Sequence, residues 1–115
     1  MSINTTKLTE VDVTVGTATS TAGAATVNTQ TGLVTTEALV TAAAATYSFT
    51  LTSSLINANS IVLVTVGKGT ATTGEPAVHF VTPAAGSAVI AIRNDAAAVA
   101  LNGTIKIGFV VLNVT

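Results

Sequence analysis

Along most of the chain, apolar and polar residues alternate with a period of two. In TYSFTLT, Tyr47, Phe49 and Leu51 share one face and Thr46, Ser48, Thr50 and Thr52 the other, which predicts a half-buried strand. GTIKIGFVVL aligns Ile105, Ile107, Phe109 and Val111 on one face, with Lys106 and Gly108 on the other. Val110 and Leu112 fall on that second face without an evident core partner, which makes them the candidate subunit-interface residues. SAVIAIR sets Val89, Ala91 and Arg93 against Ile90 and Ile92. SIVLVTV is apolar on both faces, through Ile61, Val62, Leu63, Val64 and Val66, as expected of a central strand or one covered by a neighbouring subunit. AVHFVT lies between Pro76 and Pro83, read as strand limits, and LVTTEALV (33–40) is a weaker strand.

The segments between these runs, SLINANS, GKGTATTGEP, TPAAGS and NDAAAVALNG, have turn composition. The alanine runs TAAAAT and DAAAVA are too short to nucleate a helix and are read as loops or single turns. NDAAAVALNG is read as a hairpin return that lays GTIKIGFVVL beside SAVIAIR, with Asn102-Gly103 supplying left-handed backbone freedom. Together these signals predict an all-β chain, an antiparallel, jelly-roll-like β-sandwich over residues 31–115. Residues 1–30 differ. They are rich in Thr, Ala and Ser, hold Lys7, Glu10 and Asp12, and have one short alternating run, VDVTV; they are read as an extended N-terminal arm.

At 115 residues the chain is long enough for one domain with a modest core. Hydrophobic residues make up 49% and charged residues 8%, against about a quarter charged in ordinary soluble proteins. The hydropathy comes from Ala and Val. ALVTAAAA and IVLVTV fall far short of the roughly 18–20 apolar residues that span a bilayer, so no membrane association is expected. No basic start is followed by an apolar block, so no signal peptide is expected either. The net charge is −1, and the four basic residues are scattered without aromatic partners, which disfavours a nucleic-acid binder. A surface made polar by hydroxyls and amides can be dried on association with little desolvation penalty, and a low net charge weakens self-repulsion. The composition therefore favours repeated packing against other protein.

Candidate chemistry is sparse. His79 is the one histidine, placed by alternation on the face opposite Val78 and Phe80; a triad with Asp95 and a serine has no nucleophile elbow to support it. The acids Glu10, Asp12, Glu37, Glu75 and Asp95 are too dispersed for a carboxylate pair or a calcium loop and are read as solvated. One His and no Cys cannot furnish a zinc site. Gly67-Lys68-Gly69-Thr70 resembles the end of a phosphate loop, but Val62 stands where its first glycine belongs, so a glycine hairpin with an exposed lysine is expected. The Asn-X-Thr triplets at Asn4, Asn102 and Asn113 are expected by chance in so threonine-rich a chain. No enzyme activity and no cofactor are expected.

The order SLINANSIVLVTV, VTPAAGSAVIAIRN, ALNGTIKIGFVV resembles small β-sandwich structural proteins of tailed bacteriophages, over residues 31–112. The resemblance implies a virion component, made in the host cytoplasm: a capsid decoration (cement) protein on the capsid exterior, or a domain of a fibre. A fibre calls for a long shaft with heptads or repeated β-turns, and none is present in this sequence. A decoration protein would bind the major capsid protein and clamp neighbouring subunits. Its arm, through Lys7, Glu10 and Asp12, is the candidate anchor, and three-fold lattice positions make a homotrimer the natural assembly. The alternative is a fibre or adhesion module that binds host-surface carbohydrate. It is disfavoured by the lack of Trp and by Tyr47, the one tyrosine, lying on the core face.

Overall fold

The computed structural model describes residues 15–113. Ten strands cover most of them: β1 (Val15–Thr19), β2 (Ala24–Thr26), β3 (Thr31–Thr35), β4 (Leu39–Thr41), β5 (Thr46–Thr52), β6 (Ile61–Lys68), β7 (Pro76–Ala84), β8 (Ser87–Asn94), β9 (Leu101–Gly103) and β10 (Ile105–Leu112). No helix occurs among the described residues. The strands form two four-stranded sheets, β1-β3-β10-β6 and β2-β5-β8-β7, and a ribbon, β4-β9. Val34, Ile105, Ile107, Phe109 and Val111 of the first sheet join Phe49, Leu51, Ile90 and Ile92 of the second in one buried cluster. The chain is all-β, and two sheets sharing one core are consistent with a β-sandwich.

The alternation signal located β5, β8 and β10 closely, because each buries one face and, apart from the buried Ala91 of β8, leaves the other to solvent or the rim. Four other expectations change. First, the sheets are mixed: β1 pairs with β3, and β2 with β5, in parallel. The chain leaves the first sheet after β1, visits the second as β2 and returns as β3, and such an excursion delivers a parallel neighbour. Second, residues 15–30, read as arm, contribute β1, β2 and the core residue Val27. Lys7, Glu10 and Asp12 lie outside the described residues.

Third, SIVLVTV becomes β6, which among the described strands lies at the edge of its sheet, so of its two expected placings the central one is not met. Its Val62, Val64 and Val66 pack on the core, while Ile61 and Leu63 stay 50% and 54% exposed. Fourth, NDAAAVALNG is no hairpin. It carries the chain from β8 in the second sheet to β10 in the first, pairing β9 with β4 on the way. Leu101 on this crossing is fully buried, so the segment is tied into the core. Gly103 has φ of 67°, the left-handed conformation expected of the Asn-Gly pair.

The connection after β6 also crosses between sheets, so Gly67-Lys68-Gly69-Thr70 ends a strand and opens a strap. The strap is held by reciprocal bonds: the Thr70 amide donates to Thr104 Oγ1 and the Thr104 amide to Thr70 Oγ1, each at 2.9 Å. LVTTEALV divides at Thr36–Ala38 into β3 and β4. Pro76 is the first residue of β7 and Pro83 its last but one, close to the limits expected, and an edge strand tolerates Pro83 because one side of its ladder is unpaired.

Candidate functional site

Three places gather side chains beyond the core. The first is the outer face of the β1-β3-β10-β6 sheet. Cross-strand register sets Val15, Thr31, Val110 and Leu63 in one row and Thr17, Leu33, Gly108 and Thr65 in the next. Leu112 and Ile61 pair beyond the first row. Val110 is half-buried and Leu112 is 41% exposed; Val15 is 60% exposed. The sequence-predicted pair Val110 and Leu112 thus sits on the outer face within an apolar band that spans all four strands. Gly108 contributes no side chain, and over it lies an open depression of about 400 Å³ lined by Gly32, Leu63, Thr65, Gly108, Phe109 and Val110. Beyond it, the row Thr19, Thr35, Lys106 and Gly67 is polar.

The second place is the outer face of the β2-β5-β8-β7 sheet. Thr50 pairs with Val89, Ser48 with Ala91 and Thr46 with Arg93. The result is a hydroxyl-rich surface whose one ion pair is Arg93 Nε to Asp95 at 3.0 Å, both side chains well exposed. Here the alternation of AVHFVT breaks. Val78 opposes Ile92 and Phe80 opposes Ala91, so His79 is the extra residue of a β-bulge. Val78 and Val81 pack on the core while His79 and Phe80 are both exposed, which corrects the expectation that they occupy opposite faces. Their rings lie 5.1 Å apart at a 51° tilt. A bulge leaves no trace in a period-two reading, because one inserted residue reverses the faces that follow it.

The third place is polar and structural. Glu37, read as a solvated acid, is instead half-buried as a hub. Its carboxylate accepts hydrogen bonds from the Ser20 hydroxyl, from the Gly23 amide at 2.8 Å and from the Tyr47 hydroxyl at 3.1 Å. Burial pushes the Glu37 carboxyl up, but the bonds from Ser20, the backbone, Tyr47 and Gly23 outweigh it and hold the group below its usual 4.5. Burial, with the nearby Glu37 charge, pushes the Tyr47 phenol up to about 12 against a lowering bond from Ser20. The Tyr47 ring packs on the core as expected, so its face is not offered to a sugar ring.

Asn94, fully buried at the end of β8, is a second hub. Its Nδ2 donates to the carbonyls of Thr41, Ala42 and Val99, and its Oδ1 accepts from the amides of Glu75 and Ala96. Neither hub was marked by a motif; the one available signal for Glu37 was an acid placed between strands otherwise poor in charge.

The structure does not assemble a triad around His79: Asp95 pairs with Arg93, while the His79 ring meets Phe80. Among the described residues no three of His, Cys, Asp and Glu group together as a metal site would require. Among the described residues, both outer faces carry exposed side chains. No protein-family model matches the chain, and neither a curated protein nor a solved structure matches it.

Proposed function

We propose that the chain is a non-enzymatic virion structural protein, a capsid decoration protein of jelly-roll-like build that binds the outer capsid surface and clamps neighbouring major capsid proteins. The observation that carries the reading is two-sidedness. A clamp needs at least two docking surfaces, and this chain has one on each sheet, pointing away from each other across the shared core. One is the apolar band from Val15 to Leu112; the other is the hydroxyl face around His79 and Phe80. Both are poor in charge, so protein can dry them without stranding ions. The resemblance of residues 31–112 to tailed-phage β-sandwich proteins supplies the virion setting.

In this mechanism the face bearing Phe80, 51% exposed, grips the shell. An exposed aromatic amid near-neutral contacts is the usual make-up of a binding hot spot. Self-association of the copies, into the homotrimer that three-fold lattice positions favour, ties the gripped subunits together. Multivalency around the lattice turns individually weak contacts into a strong clamp. The anchor role of Lys7, Glu10 and Asp12 belongs to the same proposal.

Cosedimentation with cognate capsids assembled without this protein tests it. The full chain should bind saturably, and Phe80→Glu should weaken binding about tenfold or more while leaving the circular dichroism and melting unchanged. Absence of binding by the full chain would sink the decoration reading. Deleting residues 2–14 spares β1 and Val27, and undiminished binding by that variant would remove the anchor from the mechanism.

A further inference from the structure

We propose that a second copy of this chain covers the outer face of the β1-β3-β10-β6 sheet, seating an apolar side chain in the depression over Gly108. The inference takes from the reading above only that the chain works by association, and it names the partner of this face.

Area is the first argument. Val15, Leu33, Ile61, Leu63 and Leu112 are 60%, 37%, 50%, 54% and 41% exposed on this one face. They present on the order of 400–500 Å² of apolar surface, within the range of the largest patch on an ordinary monomer, where such patches are often functional. Two such bands, with the flanking Thr17, Thr31 and Thr65 and the half-buried Val110, bring the total near the roughly 1,200 Å² at which stable interfaces begin.

Charge is the second. The band holds no ionisable side chain; the cation of this face, Lys106, stands in the next row beyond Leu33 and Gly108, beside Thr35 and Gly67. A foreign partner is commonly selected by complementary charge, and this band offers none to read. A copy of the same uncharged band meets it with no ion desolvated and no like charges opposed. The surface also carries both halves of a fit, the projecting Leu63 and the adjoining depression that Leu63 itself helps to line.

The third argument is the edge. β7, the edge of the other sheet, is blunted by Pro76, Pro83 and the bulge at His79. β6 has eight residues with neither proline nor bulge, and among the described residues it pairs with β10 alone, on one side. Chains that remain single usually blunt such an edge, and a copy seated over Ile61 and Leu63 shields it.

The test is the mass of the full chain in solution without capsids, by native mass spectrometry and light scattering across a concentration series. The expected result is a multiple of 11.3 kDa. Leu63→Lys and Leu112→Lys, both at exposed positions, should raise the dissociation constant by about 30-fold or more with the melting transition retained. Phe80→Glu, on the other sheet, should leave the mass unchanged. A wild-type chain that is monomeric throughout, or a Leu63→Lys chain that assembles as well as wild type, overturns the proposal. A monomeric chain whose capsid binding is lost on Leu63→Lys also overturns it, since the face then belongs to the shell, and leaves the decoration reading standing. A multimer broken by Leu63→Lys that ignores capsids supports the inference while the decoration reading falls.

Discussion

At the scale of single residues, stability rests on a few polar hubs as well as on the core. Asn94 bonds to five backbone groups from three segments of the chain, and among the described residues no buried side-chain nitrogen or oxygen lacks a partner. Replacing it with Leu keeps the branched outline but removes the bonds to two amides and three carbonyls. Asn94→Leu should lower unfolding stability by about 3 kcal/mol or more, read from urea midpoints at constant slope. Glu37 makes a different prediction. Its folded pKa lies below the unfolded value, so its contribution is present above about pH 4.5 and is lost as pH falls through the lowered value. Glu37→Gln should be less stable than wild type by about 1 kcal/mol at neutral pH, and the two melting curves should converge in acid. Tyr47 has the opposite sign. Its phenol is raised to about 12, so its contribution is complete below pH 10 and is lost as pH climbs toward that value, which its near-ultraviolet phenolate absorbance will follow. Little of this was visible in the sequence. Asn94 lies 53 residues from Thr41, and Ser20 lies 17 from Glu37; hydrogen bonding between such distant positions leaves no local pattern.

At the scale of elements, much more was legible. The alternations in TYSFTLT and GTIKIGFVVL assigned the buried faces of β5 and β10 because a half-buried strand must bury every second residue. The same alternation does not say which strand lies alongside. SAVIAIR and GTIKIGFVVL look like the arms of a hairpin, yet β8 and β10 occupy different sheets, and the Leu101 side chain holds the crossing against the core. That corner is sterically tight at Gly103. An added Cβ there would stand 2.8 Å from Thr70 Oγ1 and 2.9 Å from the Ala71 amide nitrogen, at a φ of 67°. Gly103→Ala should lower stability by about 2 kcal/mol, measured by thermal melting, since backbone strain and crowding act together. A second close approach falls at Gly32, opposite Phe109 in the register, where a Cβ would stand 2.5 Å from the ring. The sequence showed the glycine but not the ring above it.

At the scale of the whole molecule, composition and surface agree. A chain with 8% charged residues has few ions with which to rim its faces, and the faces it builds are hydroxyl-covered or apolar. That much was readable before any strand was placed. The location of the faces was not, because it depends on β6 lying at an edge and on the bulge that turns His79 and Phe80 outward together. The order of strands carries one more consequence, in time. Of the described strands, β7 and β8 are the one consecutive pair that are also sheet neighbours, and β10 lies between β3 and β6. A nascent chain stopped between Lys68 and Ile105 therefore holds β3 and β6 with no strand to join them. Neither sheet serves as a template for the other, and β6, whose one charge is Lys68 at its end, stays unpaired on the β10 side until that strand arrives. Folding of this topology is set by long-range encounters and is correspondingly slow, and the interval before β10 docks is when the chain is most exposed to pairing with the wrong neighbour.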